Sequence, residues 1–157
     1  MPLSERNVVN EIAAQERAIA GVKSSFPYAE NPDVILIAQL PAVYHIIPSF
    51  TCELRGHHNL WRTSFNVLSV LLVKPRLSSG GQLKFLENEA IPYGEKWRNR
   101  FQTDSVIDTL FGNLANTAKV FLTKGEYGAG GEMLTYAGTE YIGFAFTFQV
   151  DEWVAGA

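Results

Sequence analysis

The sequence predicts an α+β domain in which an N-terminal helix and a central helix pack on a mainly antiparallel sheet of about four to five strands. Three observations lead to this prediction. An apolar stripe at helical spacing follows Ser4, aromatic residues recur four apart after Pro92, and the chain closes with segments that alternate in polarity. The 157 residues contain no repeat or linker-like tract, so we expect a single domain over residues 1–157.

The first helix is predicted over residues 5–22. Ile12 and Ile19 lie seven apart within an apolar stripe, the spacing of one helix face. Ser4 can cap the first turn because its hydroxyl accepts a backbone N–H there. Gly21 is a suitable end, since glycine readily leaves the helical conformation.

The first strands are predicted around two prolines. Residues 34–40 fit either a short strand or one helical turn. Pro41 then leads into a strand over about 42–50, and Pro48 limits the end of that strand to a sheet edge or a bulge. A longer strand, 60–73, begins with alternating polarity and becomes apolar on both faces, as expected where a strand runs under cover.

The central helix is predicted in two parts around Pro92, which suits the first turn of a helix. Its later half covers about 93–103. Tyr93, Trp97 and Phe101 are spaced four apart there and should lie on one buried face.

Two closing strands are predicted over about 117–126 and 132–150, with a break at Gly138, after a short helical piece at 107–111. Successive strand side chains point to opposite faces. The final strand therefore has an aromatic core face, formed by Ile142, Phe144, Phe146, Phe148 and Val150. Its other face is small or polar, as if another surface packs closely there.

Composition and charge favour a soluble protein of a reducing compartment that does not bind DNA tightly. The net charge is −3 and the pI about 5.6, whereas proteins that hold phosphates usually carry a basic excess. A chain that lets DNA slide past would have the same balance. Cys52 is the single cysteine, which excludes an internal disulfide. The N-terminus has no signal-peptide pattern, and the apolar runs fall short of the ~18 residues of a membrane span.

We expect no enzyme, and no catalytic, cofactor-binding or metal-binding residues. His45, His57 and His58 have no metal-ligand spacing, so we interpret them as turn or surface histidines. Cys52 lies near His45 but lacks the exposed turn that a nucleophile needs. The glycine-rich run 125–131 precedes a strand rather than a helix, which favours a hairpin tip over a phosphate loop.

Three segments together resemble the tail terminator family of tailed phages, also called tail completion or minor tail proteins. They are LPAVYHIIPSF, WRTSFNVLSVLLVKP, and the ending AKVFLTKGEYG with LTYAGTEYIGFAFTFQVDE. As in that family, a Leu-Pro pair opens an early strand and a long strand begins near an Arg-Thr step. The chain then closes with a Tyr-Ile-Gly-Phe pattern at 141–144. The similarity spans nearly the whole chain.

The resemblance implies a non-enzymatic hexameric ring without a cofactor, located in the virion at the head-proximal end of the tail and assembled in the host cytoplasm. The ring would cap the tail tube protein, end its polymerisation and join a head-completion or neck protein. DNA would pass its lumen without specific binding, and no membrane would be involved. Oligomer or tube contacts are expected in the loop 74–90 and in the closing hairpin, at Arg76, Lys84, Tyr127, Met133 and Tyr136. For Tyr127 and Tyr136, a core role and an interface role remain equally open.

Two alternatives remain. The chain could be another neck or head–tail joining component. It could also be a small α+β ligand-binding domain or enzyme with a pocket between the central helix and the sheet. That second alternative requires polar groups to converge around Tyr93, Trp97 and His45.

Overall fold

A computed structural model describes residues 5–55, 60–76, 86–102, 118–127 and 134–155. Over these residues the chain forms two α-helices and a seven-stranded, mainly antiparallel sheet, which confirms the predicted α+β class. The helices are α1, Glu5–Arg17, and α2, Ile91–Phe101. The strands are β1, Ser24–Ser25; β2, Ala42–Ile46; β3, Phe50–Arg55; β4, Leu60–Pro75; β5, Ala118–Tyr127; β6, Leu134–Tyr136; and β7, Thr139–Ala155.

The sheet is built on the long antiparallel pair β4 and β7. Its order is β1-β2-β4-β7-β5, with β3 also on β4 and β6 also on β7. Among the strands that the structure describes, only β1 and β2 pair in parallel. The strand count exceeds the predicted four to five for two reasons. β1 and β6 are short strands of two and three residues. The strand predicted over 42–50 ends at Ile46, before Pro48, and a separate strand, β3, begins at Phe50 and runs beyond the predicted end.

The helices differ from their predictions mainly at the ends. α1 stops at Arg17 because the N–H groups of Ala18 and Ile19 donate to carbonyl groups three residues back, which tightens the chain into turns. Gly21 then has a φ of 95°, consistent with its predicted role as a breaker. Ser4, the helix predicted at 107–111 and residues 128–131 of the glycine-rich run lie outside the described residues, whereas residues 125–127 of that run belong to β5.

The central helix follows its prediction closely. A wider turn at Leu86–Ala90 leads into α2, and Pro92 occupies the first turn. The three aromatic residues of its inner face are all buried. The indole of Trp97 stacks on Phe146 with ring centroids 4.6 Å apart, and Phe101 meets Phe148 edge-on at 4.8 Å. The aromatic face of β7 is therefore the main core, with both helices packed against it.

The opposite face of β7 is covered by the chain itself. A Cβ atom added to Gly143 would lie 1.8 Å from the carbonyl oxygen of Leu71 on β4. Over this end of the sheet a second apolar cluster forms from Ile35, Leu40, Ala42, Val70, Leu72, Leu134 and Tyr141. Residues 34–40 contribute to it beside a single 3₁₀ turn at Ile37–Gln39, which resolves their ambiguity in favour of a turn. The close packing expected on this face is thus intramolecular.

Candidate functional site

A buried polar cluster joins both helices to the sheet. Nε2 of His45 on β2 lies 2.5 Å from Oε1 of Glu16 on α1, and Nε1 of Trp97 on α2 donates to Oε2 of the same carboxylate at 3.0 Å. Ser25 on β1 donates to Oε1 at 3.5 Å. Glu16 and Trp97 are fully buried and His45 is 6% exposed. A single carboxylate therefore ties two helices and two strands together.

Each imidazole nitrogen of His45 faces an oxygen atom. Nδ1 lies 2.7 Å from the carbonyl oxygen of Phe26, and Nε2 faces the carboxylate of Glu16. The imidazolium can donate to both, because a carbonyl oxygen and a carboxylate are acceptors. Burial, the largest influence, lowers the pKa of His45, and Arg17 lowers it further. The charge and hydrogen bond of Glu16, with the carbonyl of Phe26, outweigh them and hold this pKa above its ordinary value.

The cluster contains a serine, a histidine and an acid, yet its geometry does not allow nucleophilic catalysis. Ser69 is the cross-strand partner of His45 in β4, and its hydroxyl is buried without a hydrogen-bond partner. A general base needs a free imidazole nitrogen in reach of the nucleophile, but both nitrogens of His45 are already paired with Phe26 and Glu16. Ser69 and Glu16 are also 0% exposed, so a substrate has no access to them. The cluster is structural.

Sequence reasoning was wrong about the environment of His45 and missed Glu16. His45 is buried rather than in a turn or on the surface. The convergence required around His45 and Trp97 exists, but it is sealed inside the core. One signal pointed to Glu16, because it lies four residues after Ile12 and three before Ile19, on the apolar stripe of α1. Its partners lie 29 and 81 residues away, and sequence periodicity does not reveal contacts at such separations.

An open cleft of about 370 Å³ lies between α2 and β5. Its apolar walls come from Ile91, Leu122, Phe144 and Phe146, and glycines at 94 and 125 leave room beside the two rings. A Cβ atom at Gly94 would lie 3.3 Å from the Phe144 ring. The volume falls in the range of small-molecule sites, roughly 300–1,000 Å³.

The cleft also carries polar groups, namely Arg98, Gln102, Thr123 and Lys124. Lys124 is already paired with Glu126 at 3.3 Å, so the net positive charge of the cleft comes from Arg98. The cleft thus combines apolar walls with one cationic side, a surface suited to an apolar group that carries a negative charge nearby.

Toward the end of β7, the face opposite the aromatic core face carries polar side chains that bind one another. Arg62 on β4 contacts Asp151 on β7 at 3.0 Å, Gln149 donates to the same carboxylate at 3.1 Å, and Ser64 donates to it as well. Burial raises the pKa of Asp151, but hydrogen bonds from Ser64, Gln149 and Arg62, with the charge of Arg62, lower it more and leave it below its ordinary value. A paired face of this kind offers little net charge to a phosphate backbone.

Both lateral ends of the sheet are open among the described residues. β5 pairs only with β7, while β3 pairs only with β4 and β1 only with β2. Large aromatic side chains lie near both ends, with Phe50 67% exposed on β3 and Phe121 42% exposed on β5. Open strand edges flanked by exposed apolar groups are suited to pairing with another chain.

Three of the five residues predicted at an interface are described, and each contacts its own chain. Arg76 forms an exposed ion pair with Glu140 at 2.8 Å. Tyr127 is half-buried against the ring of Phe144, with centroids 4.4 Å apart. Tyr136 lies 4.8 Å from Tyr44, ring to ring, and its hydroxyl donates to the carbonyl of Pro32. Lys84 and Met133 lie outside the described residues.

Within the described ranges, no group of three or more His, Cys, Asp and Glu side chains is placed to hold a metal ion. No helix in these ranges is long and apolar enough to cross a membrane. Comparison of the sequence with models of protein families and with curated proteins finds no match.

Proposed function

We propose that this chain is a structural assembly protein of a tailed phage that forms a hexameric ring on the head-proximal end of the tail tube. The ring ends tube polymerisation and joins the tail to a head-completion or neck protein. The observation that supports this most is the sheet itself, which among the described residues is open at both lateral ends and exposes Phe50 and Phe121 there. A subunit that can bind a neighbour at each of two opposite edges can associate head to tail. Such association closes into a ring when the rotation between neighbouring subunits permits it.

The charge distribution fits a ring through which DNA moves. The net charge is −3, and the polar sheet face neutralises Arg62 with Asp151. Proteins that grip DNA release counterions through many cationic contacts, and a passage for DNA must avoid that grip. The proposed partner of the ring, the tail tube protein, comes from the resemblance of the strand segments to tail terminators.

The proposal is tested by mass and by tube capping. Light scattering over a concentration series, with negative-stain imaging of each peak, should show rings with a central hole, either alone or after addition of tail tubes. Added protein should also stop the elongation of purified tube subunits and bind at one tube end. Protein that neither associates nor binds tubes at high concentration would contradict the proposal. A ring that binds a neck protein but not the tube would identify a neck component instead.

A second candidate, a small ligand-binding domain, is favoured by the cleft between α2 and β5. Its volume and its mixture of apolar walls with Arg98 fit an apolar carboxylate. A thermal-shift screen with fatty and aromatic carboxylates, repeated on Arg98→Ala, would support this candidate if stabilisation depends on the arginine.

A further inference from the structure

The segment between β1 and β2 presents apolar side chains to solvent. Val34, Leu36 and Ile37 are 63%, 61% and 79% exposed, whereas Ile35 between them is buried. We call residues 33–37 the apolar loop. Three large aliphatic groups exposed within four positions form a patch, and patches of this kind mark interaction sites more often than isolated exposed residues do.

The apolar loop is held in one conformation by contacts on both sides. The N–H of Leu36 donates to Oε1 of Gln39 at 2.8 Å. Tyr136 donates to the carbonyl of Pro32, and Nδ2 of Asn31 donates to the carbonyl of His45 at 2.9 Å. A loop fixed before binding loses less conformational entropy on binding. Its exposed side chains are therefore presented outward by a rigid support.

The cleft between α2 and β5 complements the apolar loop in both shape and charge. The cleft is concave with apolar walls, while the loop projects aliphatic groups. Asp33, next to Val34, is exposed, and Arg98 supplies the net positive charge of the cleft. An aliphatic pair entering the cleft beside an Asp–Arg contact would combine apolar burial with a charge-assisted hydrogen bond.

The two surfaces lie on opposite faces of one sheet. Ile35 of the apolar loop packs in the second apolar cluster with Leu134 and Tyr141, whereas the cleft is walled by Phe144 and Phe146, whose side chains belong to the main core on the other face. A loop anchored on one face does not reach its own cleft on the other. Contact between these surfaces therefore joins two copies and leaves a free loop and a free cleft for further copies.

We propose that the apolar loop of one copy seats in the α2–β5 cleft of the next copy, with Asp33 facing Arg98. This inference rests on the proposed ring, because it gives the ring its repeating contact. It also assigns Tyr136 a positioning role, since its hydroxyl holds Pro32 directly before the loop.

Charge reversal provides the first test. Asp33→Arg or Arg98→Asp alone should lower association at least about tenfold, the effect of a lost interface anchor. A mixture of the two single variants should associate again, because each loop then meets a cleft of opposite charge. Glu30→Arg, a reversal at an exposed site outside the loop and the cleft, is the control and should behave as the wild type. Single variants that assemble like the wild type would overturn the docking.

Crosslinking provides a second, independent test. In a Cys52→Ser background, Ile37→Cys combined with Thr123→Cys should give an intermolecular disulfide ladder on oxidation, while either cysteine alone should not give one. Absence of the ladder overturns the docking whether or not the wild type forms rings. Rings or tube capping without the ladder would contradict the docking alone. The ladder without tube binding would contradict the tail-tube function alone.

Discussion

Nε2 of His45 lies 2.5 Å from Oε1 of Glu16, and the two side chains are 2% and 0% exposed. A charge buried so deeply is stable only when an opposite charge and hydrogen bonds satisfy it. Here the carbonyl of Phe26 and the indole of Trp97 complete the arrangement. The protonation state of His45 is thereby coupled to the docking of α1 and α2 on the sheet.

Stability should fall as the pH rises through the folded-state pKa of His45. Folding raises this pKa above its ordinary value of about 6.5, so the stabilisation is fully present below about pH 6.5 and is lost as the pH rises through the folded value. Urea unfolding between about pH 6 and about pH 9 measures the effect. His45→Gln should lose stability at low pH and show a flatter profile. Parallel profiles for the two proteins would contradict the coupling.

Glu16→Gln should destabilise the fold by about 3–5 kcal/mol, because removing one partner of the buried pair forces His45 either to stay charged without a counter-charge or to give up its proton. The pKa of His45 should then drop below its ordinary value, since burial dominates once the carboxylate is gone. Denaturant unfolding and an NMR titration of the His45 ring measure both effects. The exposed Glu5→Gln on the same helix is the control and should cost no more than about 1 kcal/mol. An unchanged His45 titration in Glu16→Gln would rule out this account.

Phe146→Asp should unfold the domain. Phe146 is 1% exposed and stacks on Trp97, so the substitution places a charge in the apolar core without a partner. Phe121→Asp makes the same change on the neighbouring strand at a side chain that is 42% exposed, and the fold should survive it. Circular dichroism and the intrinsic fluorescence of the three tryptophans distinguish the outcomes. A folded Phe146→Asp protein would show that the aromatic face of β7 is not the main core.

Gly143→Ala should be among the most damaging alanine substitutions in the chain. The new methyl group would lie 1.8 Å from the carbonyl oxygen of Leu71, so two paired strands would have to separate. We expect a loss of at least about 3 kcal/mol, the upper end of the usual cost of overpacking. Gly138→Ala is the control, with a φ of 82° but no atom near the new methyl group, and should cost about 1–2 kcal/mol. Similar losses at the two sites would indicate that Gly143 is needed for its backbone freedom rather than for close packing.

Most of the fold could be predicted from local patterns. The alternation in β7, the four-residue spacing of Tyr93, Trp97 and Phe101, and the position of Pro92 each report on the chain's immediate neighbourhood. Element ends were less predictable, as the early end of α1 shows. The reason is that a helix end depends on which carbonyl accepts the next N–H, and tertiary packing decides this.

The buried cluster around Glu16 and the positions of the apolar loop and the α2–β5 cleft could not be predicted, because they depend on contacts between distant segments. The sequence alone determined the fold class, the core face of β7 and the breaks at Pro48 and Gly138, since these follow from side-chain periodicity and backbone chemistry. Only the tertiary structure decided that Glu16 meets His45 and Trp97, that the chain covers Gly143 itself, and that the apolar loop and the α2–β5 cleft lie on opposite faces of the sheet. Each of these relationships joins residues far apart in sequence, and chain folding rather than local propensity brings them together.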